Sequence, residues 1–541
     1  MIRIFLLILC CLGQLAAQPP DATGLFLVQF DQKAATHFSP ATYLDAHTLA
    51  RRTRQGLPAW DWYDLPVDAD KVAAVRQQVQ QTRHVLRWFN GVSVRATEAQ
   101  IAAVAAWPFV CRIQRLDQRQ AHLARTPTPP PPEGYDTLLT MQRKLLQLDA
   151  LQDAGLDGSG VRIAILDAGF KEADTHPALA QVRAEGRILH TYDFYDGDSA
   201  VYHHDRHGME VMSCIAGRYR DRWLGAAPQA EFLLARVEHG WLEPAREEDH
   251  WLAAAEWADR HGADLINSSL GYTNKRYAYA DMDGSTTLVS QAAKIATQKG
   301  MLVINSAGNE GDSRWTYIGA PADVPQVLTV GGSYPMLPQR IRFSSLGPNA
   351  RGAVKPDLAA PGYALTAWKR GSYRENAGTS FAAPLITGIA ACVLQRQPNL
   401  GPLRLADVLR RAGHFYPYYD YELGYGVLQA GRLTGDTADF VLPSFDAQAS
   451  RDTILLALNP YLMRDSAAFP YGRMLYFHLE NPHGLLEASQ QVRIPNDARF
   501  YFFRRRPEAE GLLRIWFAGY YFETVLAPLT ESDWKGDDPA H

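Results

Sequence analysis

Ser380 sits in Gly378-Thr379-Ser380-Phe381-Ala382-Ala383-Pro384, a run of mostly small residues that leads directly into the apolar stretch LITGIAACVLQ. The pattern starts a helix at the serine, where the macrodipole and the free N–H groups of the first turn stabilise an oxyanion forming beside the hydroxyl. Pro384 is expected in that first turn, where its ring is tolerated. A plain serine N-cap accounts for Ser380 but not for the glycine before it or the small residues after it. A serine hydroxyl attacks a carbonyl only when a base takes its proton. His207-Gly208 opens the apolar helix MEVMSCIAG and places an imidazole on its first turn. His203, His204 and Asp205 lie alongside, so a metal cluster competes, but the spacing matches no common ligand pattern. Asp167 ends the strand VRIAIL and is followed by Ala168-Gly169-Phe170, which presents a carboxylate at a sheet edge. Taken alone, it is also what an Asp capping a turn looks like. The apolar run MLVINSAGN ends in Ala307-Gly308-Asn309. That asparagine either makes a turn or aims its amide N–H at the same oxyanion as a second donor.

The elements that must position these residues are legible as apolar β-runs alternating with helical stretches from residue 140 onward: VRIAILD, HGMEVMSCIAG, EFLLARVE, HWLAAAEWADRHG, ADLINSSLG, TTLVSQAAKIATQKG, MLVINSAGN and QVLTVGG. Strand runs without polar alternation are buried on both faces, so the expected fold is α/β, a mostly parallel sheet sandwiched by helices with right-handed crossovers. Ligands of such sheets sit beyond the carboxyl ends of the strands, where all four residues fall. The glycines of GLDGSG precede the first strand, which excludes a dinucleotide cradle.

Before this region, a strand at 24–32, a polar helix at 40–55, strands around the Asn90-Gly91 turn at 84–96, the helix EAQIAAVAAW and the strand VCRIQRL predict a small α+β unit. The run RTPTPPPPEG then makes a stiff extended linker. Beyond residue 437, TILLALN, MLYFHLE, ARFYFFRRR and LLRIWFAGYYFETVLA predict a small antiparallel β domain. The expected division is a signal peptide at 1–17, a small α+β unit at 18–123, a linker at 124–138, an α/β domain at 139–436 and a β-rich C-terminal domain at 437–541.

In order along the chain, Asp167, His207, Asn309 and Ser380 resemble the subtilisin-like serine peptidases, whose Asp, His, Ser order they share. The resemblance covers roughly residues 145–435. It includes Asp205-Arg206-His207-Gly208, Gly225-Ala226-Ala227-Pro228, Ser269-Leu270-Gly271 and Pro356 through Gly362 besides the runs above. It implies Ser380 as nucleophile, His207 as general base and acid, Asp167 as the group that orients the imidazole, and Asn309 with the Ser380 N–H as the oxyanion hole. Ser269, Leu270 and Gly271 look like the edge that pairs with substrate backbone. The same edge is expected to line the primary specificity pocket, where the small walls Ser269, Gly271, Ala307 and Gly308 are expected to accept large apolar or aromatic side chains, and Glu310 adds tolerance for basic ones. Residues ahead of the linker look like the family's inhibitory pro-segment, so the chain is expected to be a zymogen whose partners are polypeptide substrates and its own pro-segment. Two departures stand out: Met209-Glu210 follows His207-Gly208 where the family commonly has Thr and a variable residue, and Ala168 replaces the commoner Thr or Ser after the aspartate.

Composition excludes other classes. A net charge of -4 with 21% charged residues provides no basic footprint for nucleic acid. MIRIFLLILCCLGQLAAQ reads as a secretory signal, so the product is expected to be secreted or periplasmic, and no later segment is long and apolar enough to span a bilayer. Outside that signal, Cys111, Cys214 and Cys392 are odd in number and widely spaced, so buried free thiols are expected rather than a disulfide framework. No cofactor is needed for the chemistry. Structural calcium stays open, because Glu247-Glu248-Asp249 and Asp281-Met282-Asp283-Gly284 complete no ligand loop. The competing readings are a catalytically silent binding protein on a peptidase scaffold and a non-peptide acyl hydrolase.

Overall fold

The computed structural model describes residues 23–34, 38–117, 134–238, 248–273, 277–435, 442–450, 453–504 and 509–528. The expected signal peptide, the prolines of the linker and Glu247 lie outside these residues. Two compact units divide the described residues: 23–34 and 65–117 form one, and 38–64 with the described residues from 134 onward form the other.

The smaller unit contains β1 (Thr23–Phe30). Its chain leaves for α1 (Pro40–Tyr43) and α2 (Ala46–Arg54), then returns for α3 (Ala69–Gln78), β2 (Gln81–Leu86), β3 (Gly91–Thr97), α4 (Glu98–Ala105) and β4 (Val110–Arg115). The strands pair antiparallel in the order β2-β3-β1-β4. Phe26, Val28, Val75, Val92, Val94 and Val104 form the core between sheet and helices. The helix expected at 40–55 is therefore not the one that covers this sheet. It is broken at Leu44–Asp45, where Asp45 caps α2 by accepting from the His47 N–H, and it belongs to the other unit. The covering helix is α3, whose short ADKVAAVRQQ pattern has only two buried valines to mark it. Cys111 also departs from expectation: it is exposed, because it lies on edge strand β4.

In the larger unit α5 (Tyr135–Leu146), α6 (Leu148–Asp153), β5 (Arg162–Asp167), α7 (Ala180–Ala184), β6 (Ile188–Asp193) and α8 (His207–Ala216) are followed by a small hairpin, β7 (Arg218–Tyr219) and β8 (Arg222–Trp223). Then come β9 (Glu231–Arg236), α9 (Glu248–Arg260), β10 (Leu265–Ser268), α10 (Leu288–Gln298), β11 (Leu302–Ser306), β12 (Leu328–Ser333), β13 (Leu358–Pro361), the hairpin β14 (Tyr363–Ala367) and β15 (Tyr373–Ala377), α11 (Thr379–Arg396) and α12 (Pro402–Arg411). Seven strands pair in the order β13-β12-β11-β10-β5-β9-β6, all parallel. As the unalternated apolar runs imply, β10, β11 and β12 are buried along their whole length.

The C-terminal residues form two antiparallel sheets from β16 (Phe445–Ala449), β17 (Thr453–Leu458), β18 (Met474–Glu480), β19 (Leu486–Arg493), β20 (Phe500–Arg504), β21 (Gly511–Phe517) and β22 (Tyr520–Leu526), ordered β16-β17-β20 and β19-β18-β21-β22. Their own core contains Ile454, Leu456, Leu475, Ile515 and Phe517.

Candidate active site

Asp167 is the last residue of β5 and is fully buried. Its Oδ1 accepts from His207 Nδ1 at 2.8 Å and from the Ala168 N–H at 2.8 Å. Oδ2 is buried and has no hydrogen-bond partner among the described residues. The residue after the aspartate therefore contributes its backbone alone, which is what an alanine in place of Thr or Ser permits.

His207 begins α8, and its N–H donates to Asp205 Oδ1 at 2.8 Å, so Asp205 satisfies one of the orphan donors at the helix start. Both glycines flanking this pair are required by a backbone-to-backbone approach. A Cβ on Gly208 would lie 2.6 Å from the Gly169 carbonyl, and one on Gly169, at φ +148, would lie 2.8 Å from the Asp205 carbonyl. Burial alone would lower the imidazole pKa. The Asp167 carboxylate outweighs it by charge and hydrogen bond, with Glu210 and Asp205 adding, and raises it to about 9. Glu210, buried on the next turn of α8, has its own pKa pushed up to about 7 by burial, against the pull of Arg374 and His207. Its Oε2 accepts from Asn376 Nδ2 at 2.8 Å.

Ser380 is the second residue of α11 and is 9% exposed. Its hydroxyl donates to the Ser269 carbonyl at 3.3 Å, while the Ser269 hydroxyl donates to the Ser380 carbonyl at 2.9 Å. Pro384 explains why that carbonyl is available. It lies not in the first turn, as the sequence suggested, but at the sixth helical residue. There its missing N–H leaves the carbonyl four residues back, that of Ser380, without its helical donor. The His207 ring packs on Phe381, with centroids 5.6 Å apart.

Asn309 follows β11 and is oriented by a residue to which the sequence assigned no role. The N–H and hydroxyl of Thr379 both donate to Asn309 Oδ1, at 2.9 and 3.0 Å. Nδ2 is thereby the end left to donate, and it lies 3.6 Å from where a Gly378 Cβ would stand. Gly378, at φ +151, thus bends the chain into α11 and keeps the approach open. The Gly308 N–H donates to Thr379 Oγ1 at 3.2 Å. Adjacency to Ser380 was the only available signal for Thr379, since its partner lies seventy residues away.

The remaining candidates divide. Among the described residues nothing lies within 4 Å of a Cβ at Gly271. Leu270 and Ala307 are buried, Ala307 in a small cluster with Ile318 and Ala322. Beside Asn309 a depression of about 420 Å³ is bounded by Glu310, Tyr334, Arg342, Phe343 and Tyr363.

A metal reading of the histidine neighbourhood fares poorly. Among the described residues Asp193, Asp196 and His204 gather their ligand atoms, but Arg236 Nη1 already bridges the two carboxylates at 2.6 and 2.8 Å. Asp283 is likewise spent on the N–H groups of Ser285 and Thr286 and on Arg351. Cys214 and Cys392 are buried, and that burial pushes both thiols well above their usual range, which leaves them inert.

Residues 158–426 match the subtilase family, peptidase S8, and residues 25–128 match the peptidase S8 propeptide domain of Bacteroidota. Subtilisin NAT of Bacillus subtilis subsp. natto is 30% identical over 276 residues, 49% of this chain and 63% of its own length. Subtilisin BL of Lederbergia lenta is 30% identical over 271 residues, 87% of its length. The crystal structure of fervidolysin from Fervidobacterium pennivorans, a keratinolytic enzyme related to subtilisin, shares the fold with a TM-score of 0.54 at 18% identity, over 91% of this chain and 70% of that one.

Proposed function

The chain belongs to the subtilase family of serine peptidases, and from that premise we propose that it is a secreted endopeptidase using Asp167, His207 and Ser380, with Asn309 in the oxyanion hole. The observation that carries the reading is the convergence of four separate segments: the Asp167–His207 bond of 2.8 Å, Ser380 at the start of α11, and Asn309 turned by Thr379 so that its amide N–H is left to donate.

In the proposed reaction the Ser380 hydroxyl turns from the Ser269 carbonyl toward His207 Nε2. Its oxygen bonds to the scissile carbonyl carbon while its proton passes to Nε2. Asp167 holds Nδ1–H and stabilises the imidazolium. Negative charge collects on the former carbonyl oxygen, where Asn309 Nδ2 and the Ser380 N–H receive it. Collapse breaks the C–N bond, and the amine leaves with the proton from Nε2. Water then repeats the sequence on the acyl-enzyme, releasing the acid and restoring Ser380. Catalysis in this family needs no cofactor.

Residues 18–123 act in this reading as the intramolecular inhibitor, which the propeptide match supports. Residues 1–17 direct export, self-cleavage during maturation falls between about Asp117 and Tyr135, and residues 437–541 form a β-rich C-terminal domain. Small residues at Ser269, Gly271 and Gly308 favour a pocket that admits large apolar or aromatic side chains before the scissile bond.

A fluorophosphonate probe tests the assignment. It should label Ser380 in the mature protein, and Ser380→Ala should take no label and lose peptide turnover on the order of a millionfold, the loss established for subtilisin itself and not obtained from this geometry. Near-normal turnover in that variant would sink the assignment; a parent chain that takes no label at Ser380 would leave the silent-scaffold reading, and one that turns over esters but not peptides the acyl-hydrolase reading.

A further inference from the structure

Residues 38–64 leave the pro-segment between β1 and α3 and pack with the peptidase unit instead. Their contact surface is charged and, apart from Asp61 at its rim, buried. Arg51 and Arg52 on α2 are 1% and 2% exposed. Both guanidinium groups reach Asp259 in the last turn of α9: Arg51 meets Oδ1, and Arg52 meets Oδ2 at 2.6 Å. Arg52 also takes Asp64 at 2.9 and 3.0 Å, and Asp64 in turn pairs with Lys299 at 2.6 Å. Asp61 completes the set on Lys299. Three cations thus meet three carboxylates, with Asp259 and Lys299 supplied by the peptidase and the other four by the insert. Thr48 Oγ1 donates to the Asp259 carbonyl at 2.6 Å, and His47 Nε2 lies 2.8 Å from Asp264.

All three peptidase anchors lie at the amino ends of the parallel strands. Asp259 and Asp264 precede β10, which begins at Leu265, and Lys299 precedes β11, which begins at Leu302. Asp167 ends β5, and Asn309 follows the end of β11, at the carboxyl edge. Strands of this length separate the two edges by about 15–20 Å, so the insert cannot itself fill the cleft. We infer that residues 38–64 are a retention anchor, which holds the pro-segment on the peptidase after the linker is cut by gripping the sheet edge opposite the catalytic centre.

The chemistry suits retention of one specific partner. Buried charges that each find their counter-charge tolerate no mismatch, because a foreign segment lacking Arg51 and Arg52 would cover Asp259 without compensating it. A grip at one edge also keeps the rest of the pro-segment at high effective concentration near the site it blocks. In this arrangement linker cleavage alone does not release activity; loss of the insert does.

The inference rests on the pro-segment reading above, and the test separates the two. It uses the full chain with Ser380→Ala to stop self-processing and a site-specific protease recognition sequence placed within residues 124–133. After nicking, pro-segment and peptidase should co-elute by size exclusion at nanomolar concentration. Arg51→Met with Arg52→Met should release the pro-segment at least about a hundredfold faster. Thr48→Val, which keeps every charge and the helix, should speed release about tenfold. Release from both variants at the parent rate, or a parent pair that separates as soon as it is nicked, overturns the anchor. In the chain that keeps Ser380, a nicked pair that co-elutes yet hydrolyses peptide at full rate overturns inhibition while upholding the anchor.

Discussion

At the residue scale the site is governed by which charges surround one imidazole. Neutral His207 is the form that accepts the Ser380 proton, so kcat/KM must fall as pH drops through its pKa. That pKa is raised from 6.5 toward about 9, although the side chain is 27% exposed and water screens the pair. The acid limb of the profile should therefore lie between these values. Glu210 contributes from the next turn of α8, facing Asn376 and Arg374 on β15, with Asp205 the other acid near the ring. Glu210→Gln removes that negative charge, and the limb should move to lower pH by up to about one unit, with the alkaline plateau of kcat changed less than about twofold. A pH–rate profile in both proteins checks this, and an unmoved limb would mean that Glu210 serves packing alone.

At the element scale, α11 is tied to the residue following β10 by the Ser269 hydroxyl, which a proline in the helix makes room for. Pro384 withdraws the donor that the Ser380 carbonyl would have in an unbroken helix, and the Ser269 hydroxyl replaces it at 2.9 Å. The nucleophile's backbone is thus fixed from outside its own helix. Ser269→Ala should leave that carbonyl unsatisfied at a cost of about 1–3 kcal/mol. It should also lower kcat more than it raises KM, because the Ser380 N–H shares the displaced peptide geometry. Denaturant unfolding together with steady-state kinetics measures both. A variant of unchanged stability and kcat would show that the helix holds Ser380 unaided.

At the scale of the whole molecule the C-terminal β domain is part of the peptidase's packing and not a loosely tethered appendage. Phe415 stacks edge-on against Tyr476 of β18 at 4.6 Å and Trp516 of β21 at 5.1 Å, and Tyr476 joins the main apolar core. Tyr419 donates its hydroxyl to Glu480 beside these rings. Tyr476→Ala should cost about 3–5 kcal/mol. A chain ending at residue 436 exposes the same rings and should unfold at a lower temperature than the full chain. Equal midpoints by calorimetry would show that the two parts are energetically independent.

The sequence alone determined what depends on neighbours along the chain. The buried strands were legible because burial on both faces removes polar alternation, and Ser380, His207 and Asp167 because each sits at an element end marked by glycine or small residues. The antiparallel C-terminal strands were legible from their aromatic and β-branched runs. What needed the tertiary structure was everything set by partners far away in the chain. Thr379 gains its role only when Asn309 arrives from another strand, and the place of Pro384 in the second turn shows its use only against Ser269. Residues 40–54 look like any polar helix until Asp259 neutralises their arginines, as Lys299 does Asp61 and Asp64 further along the insert, and α3 takes over the role that helix seemed to have in the pro-segment. Helical periodicity reports which face of an element is apolar. It cannot report that a charged face will be buried, because that depends on counter-charges some two hundred residues distant.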